Sequence, residues 1–317
     1  MNNVISYGWT NDLPIGRFVE NIHNTILATV SKTFKNPMLV DTTWLGSDNI
    51  SLVYELIQTN KPDVIVLCSL VDATFVTEDE FKQFGTKIIS VGNFNKANRV
   101  DFWSMVLNNR HIAQDTTLTD VRYPFLCYNN KPHLHRVQLR NELTQLELLD
   151  KGAVSFGGQD PVLSPENPNK IAYEEDGAGN STLNDTMSLG DTSVWNSSFI
   201  NIITETEFNP VERCFYSEKT WKPIIGIRPF LHYSSNNVNA ELNEFGFETF
   251  ENCFTDICDL DLSTYKNIAV FCKILAEQDP LYFIKKYNEL KPKLEHNYTN
   301  FFKFASKQYE KITNIHI

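Results

Sequence analysis

Asp63-Val64-Ile65-Val66-Leu67-Cys68-Ser69 is apolar without a break from Val64 to Cys68. A half-exposed strand alternates apolar and polar residues. A strand covered on both faces reads as a continuous run of this kind, and such strands belong to parallel sheets. On either side of it, Val4–Trp9, Met38–Asp41 and Lys87–Val91 read as further short strands. The intervals at Ile15–Val30, Ser47–Gln58, Glu78–Phe84 and Val100–Leu107 read as helices. Strands alternating with helices imply a parallel sheet with right-handed crossovers. Residues 1–119 therefore read as an N-terminal Rossmann-like domain.

A second alternation begins at Tyr123. Strands are expected at Tyr123–Tyr128, Ala153–Phe156, Ser198–Thr204 and Arg228–Tyr233, with a long helix over Leu134–Leu149 and another over Val238–Phe245 that stops at Gly246. Gly157–Trp195 is polar and rich in Gly, Asn, Asp and Ser, which suggests a lid or surface loop. Helices follow at Leu262–Glu277, Leu281–Leu290 and Tyr298–Ile312, punctuated by Pro280 and Pro292. This gives a second Rossmann-like domain over residues 120–280 and a helical tail over 281–317. The fold class is α/β.

The densest chemistry lies in Phe215-Tyr216-Ser217-Glu218-Lys219-Thr220-Trp221-Lys222-Pro223, a loop that opens into a helix. Ser217 suits the N-cap, where its hydroxyl accepts a free backbone N–H. The positive end of that helix favours anions. Lys219 adds a mobile point charge, and Glu218 can accept two hydroxyls of a sugar ring. An anion beside a vicinal diol describes a nucleotide-sugar. The same residues also describe a capped surface helix with Glu218 and Lys219 solvated.

This segment, with Pro229-Phe230-Leu231 and Leu242-Asn243-Glu244-Phe245-Gly246-Phe247 after it, resembles the donor site of fucosyltransferase-like glycosyltransferases. It resembles still more the related phage-encoded transferases, which carry an aromatic-Ser/Thr-Glu-Lys-Thr pattern. A second matching segment is Phe125-Leu126-Cys127-Tyr128-Asn129-Asn130-Lys131-Pro132-His133-Leu134-His135-Arg136. The resemblance covers about residues 123–250 and leaves the N-terminal third unmatched. It implies the two-domain GT-B architecture. There the donor is held mainly by the second domain and the acceptor by the first, and a C-terminal helix crosses back.

By that resemblance Arg136 and Lys219 hold the donor diphosphate, with Arg140 as the alternative phosphate ligand. Glu218 accepts the ribose hydroxyls beside Ser217 and Thr220, and Tyr216 or Phe215 lies against the base or sugar. Glu205 stands near the sugar, with Thr206 where the family has asparagine. The acceptor hydroxyl needs a base at a strand's C-terminal end in the first domain. Asp72 is preferred and Asp12 is the alternative; each is also a plausible turn or cap residue.

His133 and His135 fall on opposite sides of a strand, or about 200° apart on a helix, and do not suit one metal. The acidic stretch with Asp256, Asp259 and Asp261 resembles a solvated loop rather than an Asp-X-Asp triplet of the kind that holds a divalent ion, so no metal is expected, and the donor nucleotide-sugar is a substrate rather than a cofactor. The absence of a P-loop and of a Gly-X-Gly-X-X-Gly turn argues against ATPases and NAD enzymes.

With 317 residues and a formal net charge of −11, the chain is unsuited to coating nucleic acid broadly. The tail is locally positive, with seven lysines between Lys285 and Lys311 against three glutamates, interleaved with aromatic residues. This keeps a hydroxymethylated base in phage DNA open as the acceptor, beside a glycan or another small hydroxyl compound. Solvated lysines on amphipathic helices are the plainer reading. The six cysteines lack zinc spacing. No apolar run has the length of a membrane span, and a cytoplasmic protein is expected, in the host cytoplasm if phage-encoded. The sequence thus points to an inverting, metal-independent glycosyltransferase. The alternative is a non-catalytic nucleotide-sugar or glycan-binding protein on the same fold.

Overall fold

The computed structural model describes residues 3–6, 14–43, 45, 48–70, 76–93, 100–109, 118, 120–129, 133–156, 189, 192–205, 208, 214, 216–233 and 237–315. Among them the chain forms two compact units. One holds Met1–Asn109 and Ala305–Ile317; the other extends to Phe304.

The first unit is a four-stranded parallel sheet in the order β1-β2-β3-β4, formed by Val4–Ile5, Pro37–Asp41, Val64–Ser69 and Lys87–Gly92. Its helices are α1 (Pro14–Val30), α2 (Ile50–Asn60), α3 (Glu78–Lys82) and α4 (Phe102–Asn109). All six residues of β3 are buried, as the unbroken apolar run demands. Met38, Val40, Ile65 and Leu67 share one face and pack with Val53 and Ile57 of α2 and Phe81 of α3. Their neighbours Leu39, Val64 and Val66 are equally inaccessible on the opposite face. Thr77 and Glu80 form a reciprocal capping box that starts α3. Gly92 has φ +66, and a Cβ there would lie 2.4 Å from the Ser69 carbonyl oxygen, so the turn out of β4 requires glycine.

The second unit is also a four-stranded parallel sheet, but its order is β6-β5-β7-β8. The strands are β5 (Tyr123–Asn129), β6 (Ala153–Phe156), β7 (Ser198–Ile203) and β8 (Phe230–His232). From β5 the chain steps to one side to make β6, then returns across β5 to make β7 and β8. The order therefore reverses between β5 and β7, and at such a switch point a crevice opens beyond the strand C-termini. Helices α5 (Leu134–Gln145), α6 (Thr192–Asn196), α7 (Glu218–Ile225), α8 (Val238–Glu244) and α9 (Tyr265–Ala276) belong to this unit. The last helix, α10 (Pro280–Thr313), gives its residues up to Phe304 to the second unit and those from Ala305 to the first.

Three local expectations change. The two helices expected around Pro292 are one helix of 34 residues. The helix expected from Leu134 to Leu149 ends at Gln145, and Glu147 takes a left-handed φ of 57°. The polar stretch ending at Trp195 closes with helix α6, and Trp195 sits in the core with its indole N–H donated to the Leu189 carbonyl at 2.6 Å. Residues 157–188 of that stretch lie outside the described residues. Among the described residues no helix is long and apolar enough to cross a membrane.

Candidate functional site

The switch point of the second unit brings together the ends of β5 and β7 and the first turns of α5 and α7. Ser217 caps α7 as its sequence suggests: its hydroxyl accepts the Lys219 backbone N–H at 3.2 Å. Beneath this cap lies Glu205, just past β7 and wholly inaccessible. Its carboxylate accepts the Ser217 backbone N–H at 3.0 Å, the Ser217 hydroxyl at 2.5 Å and the Thr220 hydroxyl at 2.5 Å. A buried carboxylate is tolerated only with such donors around it. Glu205 is thus placed as a brace that holds the start of α7 from below. The resemblance implies only that it stands near the sugar.

Arg136, in the first turn of α5, is 2% exposed and donates from Nη2 to the Thr204 carbonyl at 2.9 Å. The Thr204 hydroxyl in turn donates to Asn129 Oδ1 at the end of β5. Burial lowers the Arg136 pKa, while the charges of Glu205 and Glu218 act to raise it. Arg136 therefore lies within electrostatic reach of both carboxylates. His135 donates from Nε2 to the Glu205 carbonyl at 2.8 Å, since a carbonyl can only accept. Its ring lies between those of His133, at 6.0 Å, and Phe208, at 4.9 Å. Burial pushes its pKa down, so it serves as a neutral donor. The two histidines that raised a metal reading are stacked rings. Among the described residues no group of three or more His, Cys, Asp or Glu is placed to hold a metal ion.

Glu218 and Lys219 form an ion pair of 2.7 Å, with side chains 12% and 16% exposed. Burial raises the Glu218 pKa, but the charges of Lys219 and Lys222 outweigh it and hold the carboxyl below its ordinary range. Lys222 stands one turn along α7 from Glu218, a position that the spacing of four residues alone could have flagged. Thr220 extends the network: its hydroxyl hydrogen goes to Glu205, and its oxygen lies 3.4 Å from Nε2 of His232, at the end of β8. His232 escaped the sequence reading, although it ends a strand of a parallel sheet, which is the address where ligand groups gather.

Other expected residues fall elsewhere. Tyr216 is turned into the core, its ring against Trp221 and Phe245 and its hydroxyl donated to the Val238 carbonyl at 3.4 Å. Arg140 is half-buried and donates to Asn141 beside it. Asp12, Asp72, Thr206 and Phe215 lie outside the described residues. Four of the tail lysines stand in ion pairs, while Lys303, Lys307 and Lys311 are exposed. Lys285 pairs with Glu289 at 3.9 Å, Lys286 with Asp256 at 2.7 Å, Lys291 with Glu295 at 3.8 Å and Lys293 with Glu248 at 3.1 Å. Of the interleaved aromatics, Tyr287, Phe301 and Phe304 are buried in the core.

Compared with known protein families, characterised proteins and solved structures, the chain matches none.

Proposed function

We propose that this protein is a nucleotide-sugar-dependent glycosyltransferase of GT-B type, inverting and metal-independent, with the donor held by the second unit. The observation that carries this reading is the braced cap of α7 at the switch point, where Arg136 and Lys219 stand with Glu218. The diphosphate of the donor takes Arg136 as a planar fork and Lys219 as a point charge. Lys219 must then leave Glu218, which frees the carboxylate to accept the ribose diol. The α7 N-terminus adds its dipole to the same anion. Positive charge so placed stabilises the departing diphosphate as the bond from the anomeric carbon breaks and the bond to the acceptor oxygen forms. The acceptor proton passes to a carboxylate base, for which Asp72 and then Asp12 remain the candidates. The net charge of −11 and the paired tail lysines favour a glycan or small hydroxyl acceptor over a modified base in DNA.

The test is a thermal-shift panel of nucleoside diphosphates and nucleotide-sugars, followed by a transfer assay. At least one nucleotide should raise the melting temperature, because a ligand that binds only the native state stabilises it. Lys219→Ala and Arg136→Lys should each weaken that binding by about tenfold or more, the loss of one charged hydrogen bond. If no nucleotide shifts the melting temperature, the reading fails. Binding without transfer to any hydroxyl acceptor would leave a nucleotide-sugar-binding protein in its place.

A further inference from the structure

Two lysines of α7 act on one carboxylate. Lys219 pairs with Glu218 at 2.7 Å. Lys222 follows Glu218 by four residues, which sets it one turn further along the same face, with the glutamate on the favourable N-terminal side. Burial raises the Glu218 pKa; the charge of Lys219 and then that of Lys222 lower it, each by more than the hydrogen bond from Lys219 does.

The two lysines differ in what they can do next. Lys219 is half-buried, in the first turn, and can swing to an anion at the helix end. Lys222 is buried, and Trp221, Pro223 and Ile224 beside it are buried too, so it cannot follow without repacking. An ammonium is removed from water only where a counter-charge compensates it, and within α7 that carboxylate is Glu218.

The whole cluster sets Arg136 from α5 and Lys219 and Lys222 from α7 against Glu218 and, just past β7, Glu205. Burial pushes the pKa values of His135 and of His232, at the end of β8, downward, so neither adds charge at neutral pH. There are then three cations for two carboxylates. A diphosphate that draws on Arg136 and Lys219 leaves one lysine behind. Without it, burial and the new anion would both favour the protonated Glu218, which has given up part of its capacity to accept.

We propose that Lys222 is a positioning residue: it becomes the counter-charge of Glu218 when Lys219 turns to the diphosphate, so that an ionised carboxylate meets the ribose diol. Lys222 itself touches no part of the donor. This role rests on the nucleotide reading of the site.

The test is calorimetric titration of the full chain with UDP, GDP, CDP and ADP, each beside its 2′-deoxy form, at about pH 8 and about pH 5.5, a range in which a carboxyl raised above its ordinary value takes up its proton. The ratio of the two affinities cancels the titration of the diphosphate itself. The native chain should prefer the ribonucleotide by about tenfold at both pH values, as expected for one hydrogen bond to a charged group. Lys222→Met should keep that preference at the higher pH and lose most of it at the lower, and Lys222→Arg should restore it. Lys219→Ala should weaken both forms alike and leave their ratio independent of pH, a result that does not depend on how a Lys222 variant folds. A ratio in Lys222→Met as constant as the native one overturns the proposal, and so does a pH-dependent ratio in Lys219→Ala. If the native chain binds no nucleotide, the donor reading falls and this role with it. If it binds both forms equally, Glu218 does not hold the ribose and Lys222 has nothing to position.

Discussion

Glu205 and Glu218 flank the same helix cap and do opposite things. Glu205 is inaccessible and engaged by three donors. Glu218 is held by a partly exposed lysine that can exchange it for another partner. His232 supplies a titration at this scale. Its native pKa of about 3 lies below its ordinary 6.5, so the unfolded chain binds the proton first as the pH falls. Its neutral form contributes stability above pH 6.5, and that contribution is lost progressively down to about pH 3. The slope is at most about 1.4 kcal/mol per pH unit. Urea denaturation of the protein and of His232→Gln should therefore give a stability difference that shrinks or reverses on acidification. A difference independent of pH from neutrality to mild acid would mean that His232 is protonated in the native state.

Helix α10 shows how an element overrides a local breaker. Pro292 has no N–H and leaves the Asn288 carbonyl without its intrahelical donor. Both residues lie on the exposed face, where water can satisfy that carbonyl. On the opposite face Phe283, Tyr287 and Leu290 before the proline, and Leu294, Asn297 and Phe301 after it, are all buried. Asn297 further clips Glu248, accepting its N–H at 2.7 Å and donating to its carbonyl at 2.8 Å. The continuous buried stripe outweighs one lost hydrogen bond. Replacing Pro292 by alanine should then stabilise the protein by about 1–2 kcal/mol, the helix-interior penalty less the entropy that proline removes from the unfolded chain. An unchanged or lower urea midpoint would show that the proline sets a bend the packing requires.

At the scale of the whole molecule, only the second sheet reverses its strand order among the described strands, so the crevice of a switch point lies there. The end of α10 completes the other unit: Ala305 and Ile312 are fully buried, and Gln308 accepts the Asp101 N–H at 3.2 Å. A chain ending at Phe304 should lose amide protection in β2 and β3 while it keeps protection in β5 and β7 and any nucleotide-induced shift. Hydrogen exchange resolved by peptide measures both. Full protection of β2 and β3 in the truncated chain would show that the first unit closes its core without α10.

The strands, most helices, the Ser217 cap and the stop at Gly246 were legible in the sequence, because each follows from interactions within a few residues: side-chain periodicity, a capping hydroxyl, a left-handed glycine. The parallel sheets followed from the same alternation. What the sequence could not decide depends on residues far apart along the chain. The order β6-β5-β7-β8 sets Arg136 beside Thr204, and Glu205 beneath Ser217 and Thr220. The locally positive tail gives no sign of Asp256 and Glu248, which packing brings to Lys286 and Lys293. Tyr216 read as a ligand platform until the core took its ring, and Pro292 read as an end until a buried stripe carried the helix past it. In each case a local preference of about 1–3 kcal/mol met burial of comparable or larger size, and only the tertiary structure determines which side chains are buried together.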